Sequence, residues 1–242
     1  MSTVTTAVIL AGGLGTRLSG TVPGLPKPMA PINGRPFLEH QLDYWIGQGI
    51  GHFVLSVGFR RDAVIGHFGD SYKGCRISYA IEETPLGTGG GLLTASATVE
   101  DDSPFLLLNG DTYFEVDLRG LSDFHLKNDS DWTFSLFRTS ETGRYMGIDV
   151  GPDGRILSLK SGSAEPGRLA NGGVYLVEPD VLNNCQWQPG DKASLEDEII
   201  PSIFASVNRF FGYECNGKFI DIGVPDDYFR ASGMLTTVLS ST

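Results

Sequence analysis

The chain reads as a single-domain α/β protein, with helices layered on both faces of a mixed, mostly parallel central sheet. Three observations carry that reading. Short apolar runs at residues 7–10, 53–57, 77–81 and 105–108 each end near Gly, Glu or Asn, as buried parallel strands do, and helical stretches separate them. After about residue 130 the pattern shifts to shorter, alternating segments with a hairpin signal at Asp153-Gly154. No linker, repeat or low-complexity tract interrupts the 242 residues, a length that one α/β domain reaches.

The elements follow in order. Pro36 opens a helix over 37–48, in which Leu38, Leu42, Trp45 and Ile46 share a face. Residues 62–68 and 89–99 are further helical stretches. Strands are predicted at 132–137, 147–150, 156–160 and 174–177, a helix over 195–207, strands at 210–213 and 218–222, and a last helix from Pro225 toward Leu239. Active loops are expected at the carboxyl ends of the parallel strands.

Composition excludes several classes. A formal charge of −11 argues against nucleic acid or an anionic membrane as partner. Cys75, Cys185 and Cys215 are odd in number and far apart, matching neither a disulfide framework nor zinc-ligand spacing. No basic region precedes a long apolar segment and no run approaches a bilayer span, so a cytoplasmic location is expected.

The chemistry concentrates in five patches. Val8-Ile9-Leu10-Ala11-Gly12-Gly13-Leu14-Gly15-Thr16-Arg17-Leu18 runs from a buried strand into a glycine-rich turn, a geometry that delivers backbone amides to phosphate. Arg17 and Lys27 (in Leu25-Pro26-Lys27-Pro28-Met29) add cations, a clamp for a polyphosphate whose charge moves during reaction. The loop is neither a dinucleotide fingerprint, since Leu18 stands at its third glycine, nor a Walker loop, since no Gly-Lys-Ser/Thr closes it. Asn109-Gly110-Asp111 places a carboxylate at a strand end, and Phe219-Ile220-Asp221-Ile222-Gly223 places another inside an apolar strand; a metal shared by Asp111 and Asp221 would neutralise both. In Glu82-Glu83-Thr84-Pro85-Leu86-Gly87-Thr88-Gly89 a glutamate is placed to accept both donors of a guanine edge, which favours guanine. Asn171-Gly172-Gly173 and Ser194-Leu195-Glu196-Asp197-Glu198 supply groups that read sugar hydroxyls, although Asp197 and Glu198 suit a helix N-terminus capped by Ser194. The four histidines have no metal spacing.

Together these motifs, with Pro26-Lys27-Pro28, Leu86-Gly87-Thr88-Gly89-Gly90 and Asp221-Ile222-Gly223-Val224-Pro225, resemble the sugar-1-phosphate nucleotidyltransferases, or nucleotide-diphospho-sugar pyrophosphorylases, over nearly the whole chain. Pro28-Met29-Ala30-Pro31-Ile32 and Pro36-Phe37-Leu38-Glu39 look most like the D-glycero-D-manno-heptose 1-phosphate guanylyltransferases. The resemblance implies a Rossmann-like three-layer fold, with a nucleotide-binding half over about 1–115 and a sugar-binding half over 116–242. It implies transfer of a nucleotidyl group, GMP from GTP favoured, to a sugar 1-phosphate, releasing pyrophosphate with Mg2+ and feeding bacterial surface polysaccharide precursors. It places Leu10, Ala11, Gly12, Gly13, Gly15, Thr16, Arg17, Glu82, Pro85, Gly87, Thr88 and Asp111 at the nucleotide, with Arg17 on the departing pyrophosphate. Lys27 would bridge the two phosphates, and Asp111 and Asp221 would hold magnesium. Asn109, Gly110, Gly147, Lys160, Asn171, Gly172 and Glu196 would line the sugar-phosphate end, and a homo-oligomer is compatible.

Two departures mark this chain. Tyr145 is followed by Met146 before Gly147, where the family commonly has Tyr-Gly, and Lys160-Ser161-Gly162 stands where it commonly has Glu-Lys; a shifted Lys160 would supply the missing phosphate cation or, equally, be a hairpin lysine in water. The alternatives are a uridylyl- or thymidylyltransferase acting on a hexose 1-phosphate, a non-catalytic sugar-nucleotide-binding regulatory subunit and, less favoured, a dinucleotide-dependent oxidoreductase.

Overall fold

The computed structural model describes residues 4–13, 18, 20–100, 102–160, 165–206 and 209–235. Its strands are β1 (Thr6–Leu10), β2 (Pro31–Ile32), β3 (Arg35–Pro36), β4 (His52–Val57), β5 (Ser71–Tyr72), β6 (Cys75–Ile81), β7 (Phe105–Asn109), β8 (Thr112–Phe114), β9 (Trp132–Arg138), β10 (Gly147–Val150), β11 (Ile156–Lys160), β12 (Leu169–Val177), β13 (Phe210–Glu214) and β14 (Phe219–Asp221). Its α-helices are α1 (Phe37–Ile46), α2 (Arg61–Phe68), α3 (Gly87–Ser96), α4 (Leu118–Lys127), α5 (Ile200–Ser206) and α6 (Pro225–Met234).

The parallel order β7-β1-β4-β6 forms the heart of a ten-stranded mixed sheet. Four chain segments therefore finish at one edge, and the loops after Leu10, Val57, Ile81 and Asn109 open together. Strand β12 joins the halves: along one side it pairs with β9, and along the other with β7 at its C-terminal end and β10 at its N-terminal end, all antiparallel.

The two-residue alternation of each strand sorts its side chains between two layers. Ala7, Ile9, Phe53, Leu55, Leu106 and Leu108 pack on α1, α2 and α4 through Leu38, Leu42, Val64 and Leu121. Val8, Val54, Phe105 and Leu107 pack on α3 and α5 through Leu92, Ala95, Ile200 and Ile203. Each fully buried Val, Leu, Ile or Phe among them contributes roughly 1.5–3 kcal/mol. A smaller cluster of Ile32, Phe37, Ile220, Ile222 and Ala231 fastens α6 and the β2–β3 hairpin beside the sheet.

Helix α4 and strand β8 lie in stretches without a sequence prediction. Asp117 caps α4, its Oδ1 accepting from the Arg119 amide at 3.1 Å. The helix predicted over 195–207 begins as a π-helical turn, Leu195–Ile199, before α5. Residues 236–239 of the last predicted helix lie outside the described residues. Cys75 and Cys185 are buried and all three cysteines are unpaired with one another, as expected of packing residues. Among the described residues no helix is long and apolar enough to cross a membrane.

Candidate active site

A cavity of about 510 Å³ opens at the carboxyl edge of the parallel strands, where Leu10, Ala11, Lys27, Asn109 and Asp111 line it with residues from β14 and the β9–β10 connection. Asp111 sits in the turn between β7 and β8. That turn is held closely: the Gly110 amide donates to the Leu10 carbonyl at 3.1 Å, and the Ile222 amide donates to the Asp111 carbonyl at 2.9 Å. A Cβ on Gly110 would lie 2.3 Å from the Leu10 oxygen, so only glycine lets the turn approach β1. From α1, the Gln41 amide nitrogen donates to the carbonyls of Asn109, at 2.9 Å, and Thr112, clamping both ends of the turn.

Lys27 lies in a 3-10 turn, Lys27–Met29, introduced by the extended Pro26. Its Nζ reaches Asp111 Oδ2 at 2.6 Å, with the lysine side chain 12% exposed. Asp221 ends β14, which pairs with β8 so that Asp221 stands opposite Thr112. Burial first, and then the negative charge of Asp111, push its carboxyl above the usual range, while the Gly223 amide, Arg144 and Lys27 oppose that rise. The Gly223 amide donates to Asp221 Oδ1 at 2.6 Å, and Arg144 Nη2 lies 3.5 Å from Oδ2. The strand carboxylate is therefore partnered, not isolated. Lys27, Asp111 and Asp221, from three distant segments, converge as the sequence reading expects.

The other wall comes from β12. Opposite β9 the register skips between Asn171 and Tyr175, and the bulge presents Asn171, Gly172 and Gly173 to the cavity. A Cβ on Gly172 would lie 2.5 Å from the Phe114 ring, and Gly173 takes a left-handed φ of 68°. Asn171 is partly consumed by this architecture: Oδ1 accepts from the Gly173 amide at 3.1 Å and Nδ2 donates to the Tyr175 hydroxyl at 2.7 Å. Asn109 Oδ1 is a buried acceptor that no group among the described residues hydrogen-bonds, and a ligand hydroxyl would satisfy it. The π-helical turn brings Glu196 to the cavity, where Thr88 Oγ1 donates to it at 3.2 Å and burial raises its carboxyl. Ser194 and Glu198 complete a reciprocal cap around that turn, the role the sequence assigned to them.

Several predicted residues lie elsewhere. Glu82, 7% exposed, is placed behind the glycine turn: Ser56 Oγ donates to Oε1 at 2.8 Å, the Leu86 amide donates to Oε2 at 3.1 Å, and a Cβ on Gly12 would meet Oε1 at 2.2 Å. Pro85 and Gly87 lie at the exposed margin, Gly87 against the Ala193 carbonyl. Gly147 and Lys160 face each other across β10 and β11 and line a separate hollow with Asp149 and Arg168, outside the cavity. Among the described residues the cavity's other cation is Arg144, which enters with Tyr145 and Met146 and was not foreseen. Gly13 lines the cavity; Gly15, Thr16 and Arg17 lie outside the described residues.

A sequence profile of the nucleotidyl transferase family matches residues 6–238. The chain is 38% identical over 225 residues to a D-glycero-alpha-D-manno-heptose 1-phosphate guanylyltransferase of Aneurinibacillus thermoaerophilus, covering 93% of this chain and 96% of that one. It is 37% identical over 227 residues to the protein of the same name from Campylobacter jejuni subsp. jejuni, covering 93% and 97%. Among solved structures, HddC from Yersinia pseudotuberculosis complexed with GMP-PN superposes with a TM-score of 0.83 at 32% identity, over 96% of this chain and 99% of that one. The match takes in the central sheet, the carboxyl-edge cavity and α6 alike, and the chain belongs to the nucleotidyl transferase family.

Proposed function

We propose that the protein transfers GMP from GTP to D-glycero-D-manno-heptose 1-phosphate, releasing pyrophosphate. The observation that carries this reading is the convergence of Lys27, Asp111 and Asp221 on one cavity that also holds Asn109, Asn171 and Glu196. The full-length likeness to two proteins named for that reaction supports the choice of substrates.

An oxygen of the sugar 1-phosphate attacks the α-phosphorus in line; the new P–O bond forms as the bond to the β-phosphate oxygen breaks, and the electron pair leaves with pyrophosphate. The nucleophile is already anionic, so no side chain has to remove a proton. What the protein must supply is alignment of two mutually repelling anions and fixed positive charge. Lys27 provides that charge between the α-phosphate and the sugar phosphate, and Arg17 provides it at the leaving group. The backbone of Leu10, Ala11, Gly12 and Gly13 receives the nucleoside. Glu82, buried behind that turn with one carboxylate oxygen engaged by Ser56 and the other by the Leu86 amide, braces it. Asn109, through its unengaged Oδ1, and Glu196 read sugar hydroxyls.

Asp111 and Asp221 suit a magnesium ion by donor type. Magnesium is commonly held by one or two carboxylates and completed by substrate phosphates, and these two side chains would supply the carboxylates. Bound there, it would neutralise phosphate oxygens of the nucleotide. The test is pyrophosphate release with each common nucleoside triphosphate against heptose and hexose 1-phosphates. GTP with the heptose 1-phosphate is expected to be fastest; no release from any pair, or preference for UTP or dTTP with a hexose 1-phosphate, overturns the reading.

A further inference from the structure

Asp221 stands at the end of a short strand, its Oδ1 held by the Gly223 amide at 2.6 Å. Strand β14 has three residues and pairs with β8 alone, off the main sheet, before the chain turns into α6. Arg144 spans that gap from the β9–β10 connection. Its Nη2 donates to the Asp221 carbonyl oxygen at 3.3 Å and lies 3.5 Å from Oδ2, its Nη1 pairs with Asp227 and lies 3.0 Å from Glu141, and its guanidinium stacks 5.0 Å from the Tyr145 ring centre. Asp227, in the first turn of α6, has a side chain only 5% exposed and also accepts from Arg230 at 2.7 Å. It lines not that cavity but the neighbouring hollow, together with Asp221 and Arg230. A buried ion pair roughly breaks even in stability against apolar replacements, and in some proteins its return is that it holds its neighbours in one geometry.

We propose that Arg144 and Asp227 form the outer shell that orients Asp221 for its metal. This rests on the reading of Asp111 and Asp221 as metal ligands. Arg144 fixes Asp221 at both carbonyl and carboxylate, and Asp227 fixes Arg144, so the carboxylate keeps one orientation toward Asp111. Both are positioning residues. Outer-shell partners of this kind change metal affinity by about 10–100-fold.

Charge and orientation make opposite forecasts, which makes the idea testable. By charge alone, Arg144→Gln removes a cation beside the metal and tightens binding, whereas Asp227→Asn removes an anion and weakens it. By orientation, both weaken it. The experiment is Mn2+ binding by electron paramagnetic resonance, with a non-hydrolysable GTP analogue present, for wild type, Arg144→Gln, Asp227→Asn, their double mutant and Asp221→Asn. Expected are roughly tenfold weaker binding in each of the Arg144 and Asp227 single variants, a double mutant no weaker than the worse single, and, for Asp227→Asn, which lies outside the cavity, unchanged analogue affinity without metal. Arg144→Gln binding Mn2+ as wild type or more tightly overturns the proposal. If Arg144→Gln fails to fold, wild-type Mn2+ affinity in the isosteric Asp227→Asn overturns the proposal equally. Wild-type Mn2+ binding in Asp221→Asn, or none in the wild type, sinks the metal reading itself and the proposal with it.

Discussion

Gly110→Ala adds one methyl group at the tightest junction of the site. The new Cβ would lie 2.3 Å from the Leu10 oxygen, 3.0 Å from its carbonyl carbon and 3.1 Å from the Ala11 Cα, all backbone atoms. Ordinary contact requires roughly 1 Å more. Strand β1 cannot supply it, since β4 and β7 hold both its edges. The turn must move, and it carries Asp111 away from Lys27, now at 2.6 Å, and from the Ile222 amide, now at 2.9 Å. A 1 Å misplacement at a catalytic centre costs about 100-fold, so kcat/KM in a pyrophosphate-release assay should fall by about that factor. Overpacking should also cost about 1–3 kcal/mol in urea denaturation. Gly66→Ala is the control: it lies within α2 with no other atom within 4 Å of a new Cβ, and should leave the rate unchanged while stabilising by about 0.4–1 kcal/mol. A Gly110→Ala enzyme within threefold of wild type and equally stable would refute the reasoning.

Other outcomes follow from the same geometry. Lys27→Ala removes the cation paired with Asp111 and should lower single-turnover rates by about 100-fold; a loss below about threefold contradicts its role. Lys160→Ala should leave KM for the sugar phosphate within threefold, because Lys160 lines a hollow apart from the cavity, and a tenfold rise would contradict that placement. Burial holds the His125 imidazole down at about 4 against an ordinary 6.5. The unfolded chain therefore takes up this proton first as pH falls: the contribution is fully present above pH 7, about 2 kcal/mol of it is gone at pH 5, and the loss is complete only below pH 4. His125→Gln should flatten that part of the stability profile in urea titrations at pH 7 and 5, and an unchanged slope would contradict it.

What could be read in the sequence was governed by how local each signal is. The parallel strands are apolar runs of five to seven residues, and α1 shows Leu38, Leu42 and Trp45 on one stripe, so both appear without tertiary information. Helix α4 hides because its third buried anchor is His125 rather than an apolar residue, and β8 because three residues hold no periodicity. Asn171-Gly172-Gly173 precedes the strand predicted at 174–177 but is a bulge inside β12, and only the pairing with β9 shows this. Gly110 invites a local explanation, yet its reason is the distant Leu10 carbonyl. Arg144 sits in a polar connection, and its carboxylate partners Asp221 and Asp227 lie far along the chain, so no spacing could have singled it out. Lys160 was the nearest lysine to the missing pair in sequence, and the β10–β11 register determines where it goes.

The central claim is that Asp111 and Asp221 serve one metal as a unit. A double-mutant cycle on kcat/KM with Asp111→Asn, Asp221→Asn and both together tests it most directly. The account predicts a loss of at least about 100-fold in each single variant and a double mutant no slower than the worse of them, since groups that act as a unit are strongly non-additive. Losses that multiply, or an Asp221→Asn enzyme as fast as wild type, would contradict it.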